Sequence, residues 1–89
     1  MNNLEIKKFI TEYNYLFWYT PENKKENISL ELLVETVLNY GDIRAIKKLF
    51  TILGIKETAN IFFKAEGRKK MNYFPEIHNY FTLYFKRHA

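Results

Sequence analysis

"ISLELLVETVLNYGDIRAIKKLFTILG", residues 28–54, decides the fold. Its apolar residues recur three and four apart: Leu30, Leu33, Val34, Val37 and Leu38 in the first half, Ile43, Ile46, Leu49, Phe50 and Leu53 in the second. That spacing draws one face of a helix twice over. The boundaries carry cap chemistry. Ser29 is placed as an N-cap, its oxygen available to the free amides of the first turn. Ile28 before it and Leu33 after it are spaced for a hydrophobic staple. Asp42 is the corresponding cap of the next helix, where its charge also complements the helix dipole. Gly41 and Gly54 stand at the two helix ends, where glycine tolerates a left-handed backbone.

The same period runs outward to both ends of the chain. A first helix is expected from about Leu4 to Tyr19, with Leu4 or Ile6, Phe9, Ile10, Tyr13, Leu16 and Phe17 on one side. "TPENKKEN", residues 20–27, is a polar loop opened by Thr20 and Pro21. A fourth helix, about Lys56 to Glu66, carries Ala59, Phe62 and Phe63, and "GRKKMN", residues 67–72, follows as a connection. Pro75 suits the first turn of a last helix, because its missing amide costs nothing there. No segment alternates with period two for long. The expectation is all-α: one small domain over residues 1–89, built of about five short helices.

Bulk composition agrees. Eighty-nine residues make one domain, and 47% hydrophobic with 27% charged residues reads as globular. The absence of cysteine excludes a disulfide framework, a thiolate metal site and a cysteine nucleophile. "MNNLEIKKFITEY" is interrupted by Glu5, Lys7, Lys8 and Glu12 and does not read as a signal peptide. No apolar run approaches the ~20 residues of a membrane span, so a cytoplasmic protein without membrane association is expected. A net charge of +4 suits association with nucleic acid, but Lys-, Asn- and Ile-rich usage filling surface positions is the stronger account of it.

Catalytic patterns are missing. His78 and Glu76 are two residues apart and do not share a helix face, and His88 is penultimate. Glu31 and Glu35, four apart, have the spacing of an acid/base pair but also of any solvated helix face. No metal-binding, nucleotide-binding or nucleophile-elbow pattern occurs, so no enzyme, cofactor or metal is expected.

Two binding patterns remain. "DIRAIKKLFTILGIKETANIFFKAEGRKK", residues 42–70, has the outline of a helix-turn-helix. Its second helix would present Lys56, Glu57, Asn60 and Lys64 to DNA, with Arg68, Lys69 and Lys70 ready for phosphates. Glu57 and Glu66 would then face the DNA backbone, and any helical hairpin has the same outline. Aromatic residues make up 18% of the chain and cluster at 13–19 and 73–85. In "EIHNYFTLYFKRHA", residues 76–89, Ile77, Phe81 and Tyr84 are expected to face the first helix. Tyr80 and Phe85 are expected at the flanks, with Trp18 at the other end of the seam. Large rings with polar tips suit half-wet protein interfaces, which makes Trp18, Tyr80 and Phe85 candidates for binding a protein partner. No sheet is available to present them to nucleotide bases.

"YLFWYT" at 15–20, "VLNYGD" at 37–42, "LFTILG" at 49–54 and "YFTLYF" at 80–85 occur in one order. Together, over about residues 15–85, they resemble a family of small bacterial proteins of unknown function. That family carries an early "LFW", a "VLxxGD" junction, an "LxxxxG" and a terminal "FWxLYF". Its genes often lie beside a nucleotidyltransferase toxin of the abortive-infection (AbiEii) class, so the resemblance implies an antitoxin-like module that binds a cognate toxin. The chain departs from the pattern at Tyr19, where Asp is common, and at Phe81, where Trp is common. No catalytic residue is implied.

Overall fold

The computed structural model describes residues 4–18, 20–21, 24–25, 28–64 and 73–89. Five α-helices and one 3-10 helix account for the regular structure of these residues, without a strand: α1 (Leu4–Glu12), the 3-10 helix (Asn14–Phe17), α2 (Leu30–Tyr40), α3 (Ile43–Leu53), α4 (Ile55–Lys64) and α5 (Pro75–His88).

Both caps form. The Leu32 amide donates to Ser29 Oγ at 3.1 Å, and the Ala45 amide donates to Asp42 Oδ1 at 2.9 Å. The two glycines have different reasons for being glycine. Gly41 is not left-handed; its φ of −77° and ψ of 154° are ordinary extended backbone. What excludes a side chain is space, since a Cβ there would stand 2.6 Å from the Val37 carbonyl oxygen and 3.2 Å from the Ala45 Cβ. Gly54, with φ 86°, does take a conformation that side chains disfavour. It is the only residue between α3 and α4. Its amide closes α3 on the Phe50 carbonyl at 2.8 Å, and its carbonyl accepts the amide and hydroxyl of Thr58 at 3.0 and 2.8 Å. That hydroxyl bond satisfies Thr58, which is wholly buried.

The first helix is shorter than expected. α1 stops at Glu12, Tyr13 turns out of helix (φ −107°, ψ 33°), and the chain tightens into the 3-10 helix. In a 3-10 turn, residues three apart eclipse. Tyr13 and Leu16 therefore stay on one side, and Phe17 follows them into the core. The same apolar spacing serves either geometry. Of the two alternatives at the start, Ile6 is buried and Leu4 exposed. Ile43, expected inward, is exposed at the first position of α3, and Ala45 and Leu49 supply that helix's buried face. Lys25 Nζ donates to Asn14 Oδ1 at 2.9 Å, tying Lys25 to the 3-10 helix.

α4 lies at the centre, packed on α2, α3 and α5, while α1 packs on α3 and the 3-10 helix on α1 and α2. Phe9, Phe17, Phe62, Phe85, Leu33, Leu38 and Leu49 are among the fully buried side chains. The last helix was expected against the first, and its principal neighbour is instead α4. Phe85 meets Phe62 of α4 at 5.3 Å between ring centroids and Phe50 of α3 at 5.9 Å. The entry to α5 is held by the Phe74 amide, which donates to Asn39 Oδ1 at 3.1 Å, and by an edge contact between Tyr40 and Phe74 at 5.3 Å.

Candidate interaction surfaces

α5 sorts its rings by depth. Phe81 and Phe85, four apart, enter the core. Ile77 and Tyr84 are half-buried beside them, Tyr80 is 58% exposed, and Leu83 beyond it is 62% exposed. Phe85 is therefore corrected from a flank position to a core position, at 2% exposure, and is not available to a partner in this fold. The buried face is rotated towards His78, because Phe62 and Phe63 of α4 receive Phe85 from that side. The His78 ring packs on Phe62 at 5.1 Å and Tyr73 at 6.0 Å, with its Nε2 buried and without a hydrogen-bond partner among the described residues.

The outer rings make a column. Tyr80 stacks on Tyr84 at 6.0 Å with planes 20° apart, and Tyr84 stacks on Phe50 of α3 at 5.9 Å and 16°. His88 continues it, 4.6 Å from Tyr84. Spacing of four residues along one helix side produces this register. Trp18, 73% exposed, follows the 3-10 helix and so belongs to the α1–α2 side of the molecule, apart from the α5 column. Two exposed apolar residues that sequence reasoning passed over are Leu83 and Phe74. Leu83 was findable, since it lies three residues from Tyr80 and so on the same outer side.

Tyr73 is a buried phenol on Phe62, at 5.1 Å. Burial pushes its pKa well above the ordinary tyrosine value, and the nearby Glu35 charge adds to the effect. It stays a neutral core ring. Glu31 is exposed and Glu35 half-buried, so the pair does not share one environment.

Of the expected nucleic-acid residues, Lys56, Asn60 and Lys64 are exposed and fall four apart along α4, with Glu57 exposed beside them. Arg68, Lys69 and Lys70 lie outside the described residues. α4 is packed on three neighbours, which leaves Lys56, Glu57, Asn60 and Lys64 as its exposed residues. A broader basic surface lies elsewhere. Arg44, Lys47, Lys48 and Thr51 of α3, with Glu12 and Tyr13, line an open hollow of ≈ 400 Å³. Leu4, Lys7, Lys8 and Thr11 of α1 line a second that shares Glu12. Among the described residues no helix is long and apolar enough to cross a membrane.

No protein-family model, curated protein or solved structure matches the chain.

Proposed function

We propose that this chain is a non-enzymatic protein-binding module, an antitoxin-like partner that neutralises a nucleotidyltransferase-type toxin. The observation that carries the binding part is the ring column of Phe50 on α3 with Tyr84 and Tyr80 on α5, and Leu83 at its edge, of which Tyr80 and Leu83 are exposed. Aromatic side chains held in place lose little freedom on docking, which is why they dominate the energetics of protein interfaces. The toxin part rests on the family resemblance. The column would seat on the enzyme and exclude its substrate, and the excess of positive charge would speed the approach to an acidic face. Trp18 is a second, separate anchor.

The test is co-expression with a nucleotidyltransferase toxin of the abortive-infection class, followed by affinity measurement on the purified pair. Tyr80→Ala and Leu83→Ala are each expected to weaken the complex by ~1–3 kcal/mol and leave the helical spectrum unchanged. A complex of undiminished affinity in both variants removes the column from the interface. Growth arrest that persists despite co-expression removes the antitoxin role.

A second reading, a small helix-turn-helix DNA-binding regulator, is favoured by the Lys56, Asn60 and Lys64 stripe following the one-glycine joint. It requires duplex binding that fails when those three residues are replaced by Ala.

A further inference from the structure

The outward side of α5 carries charges as well as rings. Glu76, Tyr80, Leu83 and Arg87 follow one another at intervals of four, three and four residues. That spacing sets them in a single line along the helix, the 3.5-residue seam that two packed helices share. All four are exposed. Neither Glu76 nor Arg87 forms an ion pair within the described residues. Half-buried Tyr84 borders the line on one side, and exposed Asn79 and Lys86 border it on the other.

This line is complementary to itself. Laid against a reversed copy, Glu76 meets Arg87 at both ends and Tyr80 meets Leu83 in the middle, because the two pairs share one midpoint on the helix. A two-fold interface has that requirement, since residue i must meet residue j while j meets i. A parallel copy would instead set Glu76 against Glu76 and Arg87 against Arg87. An unrelated partner imposes no such symmetry on the line. Burial of Tyr80 and Leu83 supplies the attraction. Exposed ion pairs add little strength, but they select the antiparallel sense over the parallel one. We infer that the free chain forms a two-fold dimer through the outer seam of α5, the two helices antiparallel, with Glu76 of each copy beside Arg87 of the other. Four central residues a side are far fewer than the ~20–30 of a standard interface, so the dimer is weak. This goes beyond the toxin reading and does not depend on it. Tyr80 and Leu83 belong to both surfaces, so a toxin seated there would displace the second copy.

The experiment follows the mass of the full chain by sedimentation as its concentration rises to ~1 mM, which reveals any dimer with a Kd below that level. Monomer is expected to pass into dimer. Glu76→Arg and Arg87→Glu, each alone, bring like charges together at both ends and should weaken dimerisation roughly tenfold. The two combined restore opposite charges and should return to within about threefold of the parent, an outcome that a parallel pair would not give. Glu57→Arg makes the same charge change at an exposed position of α4 and should dimerise as the parent does. Cross-linking keeps the test open should the combined variant fold poorly. The chain has no cysteine, so Glu76→Cys and Arg87→Cys each carry one thiol. Mixed under oxidation, they should join to each other far more than to themselves. In the antiparallel pair the two copies of position 76 stand roughly 16 Å apart at 1.5 Å rise per residue, beyond the reach of a disulfide. The inference is overturned by a chain that stays monomeric up to ~1 mM. Single charge variants that dimerise as tightly as the parent, a folded combined variant that does not recover, or cross-links mainly of like with like overturn it equally. No toxin is present in these measurements, so the dimer and the toxin complex fail separately.

Discussion

The inner and outer rings of α5 are built from similar side chains one or two positions apart, yet their surroundings differ completely. Phe81 and Phe85 touch each other, and Phe85 also meets Phe50, Phe62 and Phe63, so its ring is enclosed by three helices. Tyr80 touches only its own helix's Phe81 and Tyr84 among the described ring pairs, and most of its surface is open. What separates them is α4. The helix that Phe62 occupies defines which side of α5 goes inward, and Tyr80 and Leu83 are left facing out. An aromatic stripe is therefore two things at once here, a core seam and an exposed edge.

Phe85→Ala is the strongest way to test this division. Removing a fully buried ring costs ~3–5 kcal/mol, a large share of the ~5–15 kcal/mol that holds a small domain together. The variant is expected to be unfolded or nearly so in chemical denaturation. Retention of most of the parent's stability would mean that α5 does not dock as described. Tyr73, the buried phenol beside Phe62, gives a pH-dependent test of intermediate size. Its pKa is raised in the folded state, so the folded chain keeps a proton that the unfolded chain releases. Its contribution is therefore complete below the ordinary tyrosine pKa of ~10, and stability falls as pH rises beyond it. Melting temperature is expected to drop in alkali, and Tyr73→Phe to make that drop shallower; an identical alkaline profile in both would contradict the burial of the phenol. The smallest effect is Tyr80→Ala, which gives up two partly exposed ring contacts, with Phe81 and Tyr84, of ~0.5–1.5 kcal/mol each at most. If its loss in thermal unfolding equals that of Phe85→Ala, the inner and outer rings are not distinct.

The central part of the fold was legible because its signals are local. Ser29 and Asp42 cap the helices they precede, and the α2 and α4 faces follow directly from spacing. Elsewhere the spacing alone did not decide. Gly41 is needed because a Cβ there would meet the Val37 carbonyl oxygen and the Ala45 Cβ, four residues to either side, so its reason lies in the geometry of the turn between α2 and α3. Tyr13 ends α1 although its apolar spacing continues, since that spacing also serves a 3-10 turn. Phe85 was placed on a flank because its inward direction depends on Phe62 and Phe63, some twenty residues earlier. Of the surfaces, Trp18 and Tyr80 were found as exposed rings, whereas the α1–α3 basic face needs the two helices side by side before it exists.

The Asn39 to Phe74 hydrogen bond joins residues 35 apart in the chain. Bringing the ends of such a loop together costs roughly 3 kcal/mol of chain entropy, before any constant, by the logarithmic scaling with length. One hydrogen bond returns about 1 kcal/mol net. The amide contact alone therefore does not offset closure from the unfolded chain; the burial of Phe81 and Phe85 supplies the driving force that holds α5, and Asn39 fixes where along α2 it begins.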